Sequence, residues 1–200
     1  MSPRPDVSSE RKSQIMNAAE TVFTRSGFEA ARMEDIADET GLSKATIYLY
    51  FESKDDLIIA ILDRIFQGEF KQFEDLIDDE TSASDTIWKL VEIMTGDIVR
   101  ALHLIPIVYN FLALAFRNQY VQHTLKEYLH RYMDILTPVI QRGIDSGEFR
   151  PLDAYEVAIA MEAITEGTLL LWVYDKNLID PVVHIRSGMK ILLEGLWVRN

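Results

Sequence analysis

Four side chains between positions 123 and 134 have the types and spacing of a metal site. His123, Glu127, His130 and Asp134 recur at intervals of four, three and four, which aligns them within about 60° on one side of a helix. Leu125, Tyr128, Leu129, Tyr132, Leu136 and Val139 take the opposite side, so the stripe reads as solvated surface and no metal is assigned. Glu162 and Glu166 stand one turn apart in residues 157–174, a stretch otherwise too apolar for a surface helix. A carboxylate buried without a partner costs several kcal/mol or takes up a proton instead. The pair therefore reaches solvent, pairs with Arg186 or Lys190, or faces a cavity. No G-x-S-x-G, H-E-x-x-H or glycine-rich phosphate loop occurs. There is no cysteine, hence no thiol nucleophile and no disulfide. The chain reads as a non-enzyme with no catalytic residue and no cofactor.

A third pattern suits nucleic acid. Residues 33–51, MEDIADETGLSKATIYLYF, read as two short helices around a tight turn. Met33, Ile36 and Ala37 fall on one helical face. Gly41 suits the left-handed cap of the first helix, and Ser43 suits the N-cap of the second. Ile47 and Phe51 anchor that second helix, leaving Lys44, Ala45, Thr46, Tyr48 and Leu49 outward. A short helix offering a polar and aromatic face is a helix-turn-helix solution for entering the major groove.

The same segment resembles the DNA-binding domain of the TetR family of transcriptional regulators. The resemblance covers residues 9–64 and rests on Ile15, Ala18, Ala19, Phe23, Gly27 and Phe28. It continues through Met33, Ile36, Ala37, Gly41, Leu42, Ser43, Lys44, Thr46, Ile47, Tyr48, Tyr50, Phe51, Ser53, Lys54 and Leu57. It departs at Ala31, where the family has Thr or Ser, which passes a phosphate contact to Arg32. It departs again at Ala45, where the family has Gly. The resemblance implies that Ser43, Lys44, Ala45, Thr46 and Tyr48 approach bases while Arg32, Tyr50 and Lys54 hold phosphates.

Charge sharpens this picture. The chain carries 20 basic and 32 acidic residues, a net −12, unlike the basic footprint of most nucleic-acid binders. Residues 40–51 nevertheless hold no acid and one lysine. Acids elsewhere keep non-specific affinity low, since that affinity is mainly electrostatic. The alternatives are a DNA-binding regulator controlled by a protein partner, and a small-molecule binding protein that does not bind DNA.

The remaining chain reads as helix throughout, with no run of period-two alternation. The expected fold is all-α with about nine helices: a helix-turn-helix domain with an N-terminal arm over 1–53, and a helical ligand-binding and dimerisation domain over 54–200. Helix 1 spans 9–25, with Ile15, Ala19, Val22 and Phe23 inward. Helix 4 starts at Lys54 with Leu57, Ile61, Leu62, Ile65, Phe66, Phe70 and Phe73 inward. Ser82 or Ser84 caps helix 5, Pro106 opens helix 6, and Gly147 ends helix 7. Helices 8 and 9 cover 153–174 and 181–197. No segment reads as a signal peptide or membrane span, and the protein reads as cytoplasmic.

The family resemblance implies a palindromic DNA operator, a small apolar or amphipathic effector that releases a repressor, and a homodimer through helices 8 and 9. Candidate effector contacts are Phe66, Met94, Tyr109, Asn110, Tyr128, Tyr132, Met161, Glu162, Thr165 and Glu166. If the glutamates line a cavity, the effector carries a positive or hydrogen-bond-donating group. If they are structural, a neutral fatty or aromatic effector fits better. Gly188 and Gly195, seven apart in helix 9, suggest a close helix approach, because glycine costs about 1 kcal/mol in a helix interior.

Overall fold

A computed structural model describes residues 7–78, 80–116 and 118–197, with only the backbone described for Val7, Pro106, Ile107, Asn110, Phe111 and Leu114. Arg4 and the N-terminal arm lie outside the described residues. Nine α-helices and one 3-10 turn (Leu102–Leu104) make up the described chain. The single extended pairing among the described residues is an isolated antiparallel bridge between Phe149 and Trp197.

Two compact units form. The first runs up to Phe66 and adds Pro106–Gln122; the second comprises Gln67–Ile105 and the chain from His123 onward. The division into compact units falls inside the helix Lys54–Leu76.

The first unit contains α1 (Val7–Ser26), α2 (Met33–Thr40), α3 (Lys44–Tyr48), the first half of α4 (Lys54–Leu76) and most of α6 (Ile105–Ala115). Its core takes the apolar faces the spacing predicts. Ile15, Ala19, Val22, Ile36, Ile47, Leu57 and Ile61 have no solvent exposure. Phe23 and Phe28 meet edge to face at 5.2 Å across the Gly27 turn, where φ is +78°.

The second unit contains the rest of α4, α5 (Ala83–Ala101), most of α7 (Gln119–Asp145), α8 (Ala154–Tyr174) and α9 (Pro181–Leu196). Ser82 caps α5 through the Asp85 N–H. Glu148 adds a second cap from afar, its carboxylate accepting from the Ala83 and Ser84 N–H groups at 2.9 and 3.0 Å. Three of the four N–H groups a helix start leaves open are thus met by side chains. Arg142 of α7 donates to the Thr81 carbonyl at 3.1 Å and the Thr86 hydroxyl at 3.0 Å, fixing the loop before α5. Asp153 and Asp180 cap α8 and α9.

By length and composition α8 is apolar enough to cross a membrane. One side of it packs along α9, with Ala158, Met161 and Thr165 buried. Its other side leaves Tyr155, Leu171 and Tyr174 exposed. A helix apolar all round asks for cover on both sides.

The two glycines of α9 have different surroundings. A Cβ on Gly188 would sit 2.7 Å from Cγ2 of Ile164 in α8, whereas one on Gly195 would meet nothing within 4 Å. The close approach at Gly188 therefore lies within one chain. Its neighbour is a β-branched side chain with little freedom to move. Gly188→Ala is expected to lower the protomer's unfolding free energy by about 1–3 kcal/mol through overpacking, with Gly195→Ala unchanged or slightly stabilised. Denaturant unfolding of both variants checks this, and combining Gly188→Ala with Ile164→Ala should recover part of the loss.

Candidate nucleic-acid interface and internal cavity

A helix of five residues does not hold itself, because nucleation costs more than one turn returns. Here α3 is fixed at both ends. Gly41 closes α2 in the left-handed conformation, its N–H and that of Leu42 returning to α2 carbonyls. The Ser43 hydroxyl accepts from the Thr46 N–H at 3.1 Å and lies 2.8 Å from the Thr46 hydroxyl. Ile47 is fully buried and Phe51 is 6% exposed. Ser43, Lys44, Ala45, Tyr48 and Leu49 are left exposed, with Thr46 and Tyr50 partly so.

The basic residues expected to meet DNA are in mixed states. Arg32 is the exposed N-cap of α2, and its backbone N–H donates to the Asp35 carboxylate at 2.8 Å. Ala31 beside it is buried. Lys44 forms an ion pair with Glu34 of α2. That hydrogen bond raises the Lys44 ammonium above its ordinary value and lowers the Glu34 carboxyl. The pair is exposed and therefore weak. Lys54 donates to the Phe28 and Glu29 carbonyls at 2.7 and 3.2 Å and lies over the Phe28 ring. An ammonium has three donors, so one N–H remains for DNA while two lock the turn after α1.

Within the second unit lies a cavity of about 20 Å³, room for about one water molecule. Its walls include Phe73 of α4, Met94 of α5, Tyr132 of α7, Met161 and Glu162 of α8 and Met189 of α9. Three methionines give adaptable walls, since the thioether chain fills irregular gaps. Thr165, also at the wall, donates back to the Met161 carbonyl at 3.3 Å.

The acid cluster beside this cavity was only half legible in sequence. Glu69 of α4 is buried, and the Tyr132 hydroxyl donates to it at 2.5 Å. Burial pushes the Glu69 carboxyl up to about 7 against the pull of that bond. Burial also raises Glu162, with Glu166 and Glu69 adding repulsion, to about 8. Of the cations named as possible partners, Arg186 pairs with Glu92 and Lys190 lies 3.7 Å from Glu194. At neutral pH Glu162 is thus mainly protonated, an O–H donor in an apolar wall. Glu69 went unnoticed although it sits three residues after Phe66 and four before Phe73, in register with their inward stripe.

Of the expected effector contacts, Met94, Tyr132, Met161, Glu162 and Thr165 line the cavity. Glu166 is exposed, and Tyr128 is buried against Phe70, ring centroids 6.4 Å apart, instead of at the cavity. Phe66 and Tyr109 belong to the first compact unit, and the Asn110 side chain lies outside the described residues. His123, Glu127, His130 and Asp134 are all exposed on α7.

Helices dominate the described residues, and a helix-turn-helix held in this way has the form of a DNA-reading head. Residues 15–61 match the family model for bacterial regulatory proteins, tetR family. Those residues carry the DNA-binding domain of that family, and the whole chain is similar to its regulators. It is 27% identical over 190 residues to the fatty acid metabolism regulator protein of Bacillus subtilis, covering 92% of this chain and 94% of the relative. A TetR transcription regulator from Haloarcula marismortui shares the fold with a TM-score of 0.85 at 21% identity, over 95% of this chain and 100% of that one. The transcriptional regulator FadR from Bacillus subtilis, solved in complex with stearoyl-CoA, does so with 0.77 at 24% identity, over 92% and 98%.

The raised carboxyls give a pH signature. Both hold a proton in the folded state across a range where the unfolded chain, at the ordinary value of 4.5, has lost it. Unfolding free energy therefore falls as pH rises from about 5 to about 8. Glu69→Gln and Glu162→Gln should each flatten that slope, with the gain over the parent largest at pH 8, in denaturant titrations across the range. A parent-like slope in both variants would show that these carboxyls are not the groups responsible.

Proposed function

We propose that the protein is a homodimeric, cytoplasmic repressor that a long-chain amphiphile, such as an acyl thioester, releases from a palindromic operator. The observation that carries the DNA half is α3, anchored by Ile47 and Ser43 with Ser43–Thr46 and Tyr48 facing out. Residues 1–53 read the operator. Ser43, Lys44, Ala45, Thr46 and Tyr48 meet base edges, and Arg32, Tyr50 and the free donor of Lys54 meet phosphates. Residues 54–200 bind the effector and pair the protomers.

The exposed side of α8 and α9 supports the pairing. Ala160, Ala163 and Gly167 recur along α8, and Ile191 and Gly195 along α9. Ile191 is 71% exposed, and Gly195 has open space above it. Small residues let a second copy's helices approach closely, and the exposed Leu171 and Tyr174 gain cover in a four-helix bundle.

For the effector, the walls supply an apolar body site and Glu162 a single donor, suited to a carbonyl. The stearoyl-CoA held by the Bacillus subtilis structure has that chemistry. A bound chain needs a pocket of at least roughly 300 Å³, far more than the cavity offers. The ligand therefore binds a state in which the wall residues have moved apart. Release follows if that state presents the two reading helices at the wrong separation, because a ligand shifts an equilibrium only by its preference between states. Helix α4, which starts beside the reading head and supplies Phe73 to the cavity, carries the change.

Two half-sites centred about 34–36 Å apart, or somewhat further if the duplex bends, suit such a dimer. A duplex selected from a random pool by the full-length protein should be near-palindromic and bind one dimer. Stearoyl-CoA should release it from the parent and from Glu162→Gln alike, within about threefold, since the amide also donates a hydrogen bond. Fluorescence anisotropy reads both. Recovery of an asymmetric site bound by one protomer would overturn the dimeric reading. Release by a long-chain quaternary amine that Glu162→Gln abolishes would replace the acyl ligand with a cation.

A further inference from the structure

We infer that Leu49, with Ala45 one turn before it, reads thymine in the operator through the C5-methyl group. This rests on the proposal that α3 enters the major groove and adds the chemistry of one contact.

Leu49 is 82% exposed and the adjacent Tyr48 is 43% exposed. Among the described residues up to position 66, they are the large hydrophobic side chains that the fold leaves uncovered. Every other large apolar side chain of that stretch is at least partly covered, and most are core. Leaving a leucine in water forgoes the gain of burying it, so its position on the helix matters.

Taking about 100° per residue, Ala45 and Leu49 each fall about 160° from Ile47, one on either side of the direction opposite it. Ile47 has no exposure and points into the core. The Ala45–Leu49 line is therefore the outermost ridge of α3, the part that penetrates deepest into a groove. Leu49 keeps right-handed helical torsions, with φ −70° and ψ −21°. Its N–H bonds the Ala45 and Thr46 carbonyls, each at 3.2 Å, so its place on that ridge is fixed before any partner arrives. Ser43 and Thr46, with their hydroxyls 2.8 Å apart, and Lys44 supply the polar groups around it.

A duplex offers this ridge one fitting group. Phosphates and the polar base edges gain nothing from an isobutyl side chain. The thymine methyl is the apolar feature of the major groove. Ala45, short enough to let the helix lie deep, allows Leu49 to reach it.

The test uses the duplex that full-length protein selects from a random pool. Each thymine is replaced in turn by deoxyuridine, which removes the methyl and leaves the hydrogen-bonding edges intact. Affinities are measured by fluorescence anisotropy for the parent and for Leu49→Ala. The exposed site and the helix propensity of alanine keep the variant folded, which a thermal melt confirms. One thymine per half-site should weaken parent binding about fourfold on replacement, the loss of one buried methyl, and about fifteenfold when both half-sites are changed. Leu49→Ala should bind the thymine and uracil duplexes equally at that position. A variant as sensitive as the parent at every thymine, or a parent sensitive at none, would overturn the assignment and leave the exposed leucine to a protein partner. Failure to enrich any duplex would overturn the DNA-reading proposal itself, and this contact with it.

Discussion

The five residues of α3 are too few to be helical on their own, and the reading surface depends on what holds them. Ile47 provides the anchor, Ser43 the cap, and Gly41 the reversal that brings α3 back against α2. Each removes a degree of freedom from side chains that must otherwise be ordered when DNA binds. Lys54 extends the same constraint, tying the start of α4 to the turn after α1 through two carbonyls. Lys54 is thus part of the frame, and its loss would act through folding. The Lys44–Glu34 pair works differently: an exposed ion pair holds the lysine in place only weakly.

The second unit is organised around an opposite condition, an unmet electrostatic demand. Glu69 and Glu162 lie close enough to repel, and burial raises both. Tyr132 satisfies Glu69 with one hydrogen bond. The basic side chains of α9 that could have met Glu162 serve Glu92 and Glu194. A core kept for stability alone would place apolar side chains there. The protonated Glu162 is instead a polar group at the wall of a small cavity, where adaptable methionines can move aside. A cavity this small has room for about one water molecule until its walls move.

Much of the first unit was readable from the sequence because its determinants are local. Ile15, Ala19, Val22 and Phe23 are inward by helical spacing, and Gly41 and Ser43 mark their turn by conformational preference. The Ser82 cap was readable for the same reason. What the sequence did not reveal depends on distant partners. Lys54 meets carbonyls more than twenty positions earlier. Gly188 and Gly195 share one helix face in the sequence pattern, yet a Cβ would meet Ile164 only at the first, because the contact depends on which α8 side chain lies opposite. Glu69 follows the inward periodicity of Phe66 and Phe73, and its charge disguised a core position. Phe66, Tyr109 and Tyr128 were plausible wall residues by type alone, and type does not say which side of a helix faces a cavity.

Effector-driven release requires ligand and DNA to prefer different states of one protein, and the preference must be reciprocal. The direct measurement is calorimetric titration of stearoyl-CoA into the full-length protein, alone and saturated with its selected duplex. The account predicts binding in both cases, weaker on the duplex by at least about fivefold, the lower end of ordinary coupling. Equal affinity in the two titrations, or no binding in either, would contradict it.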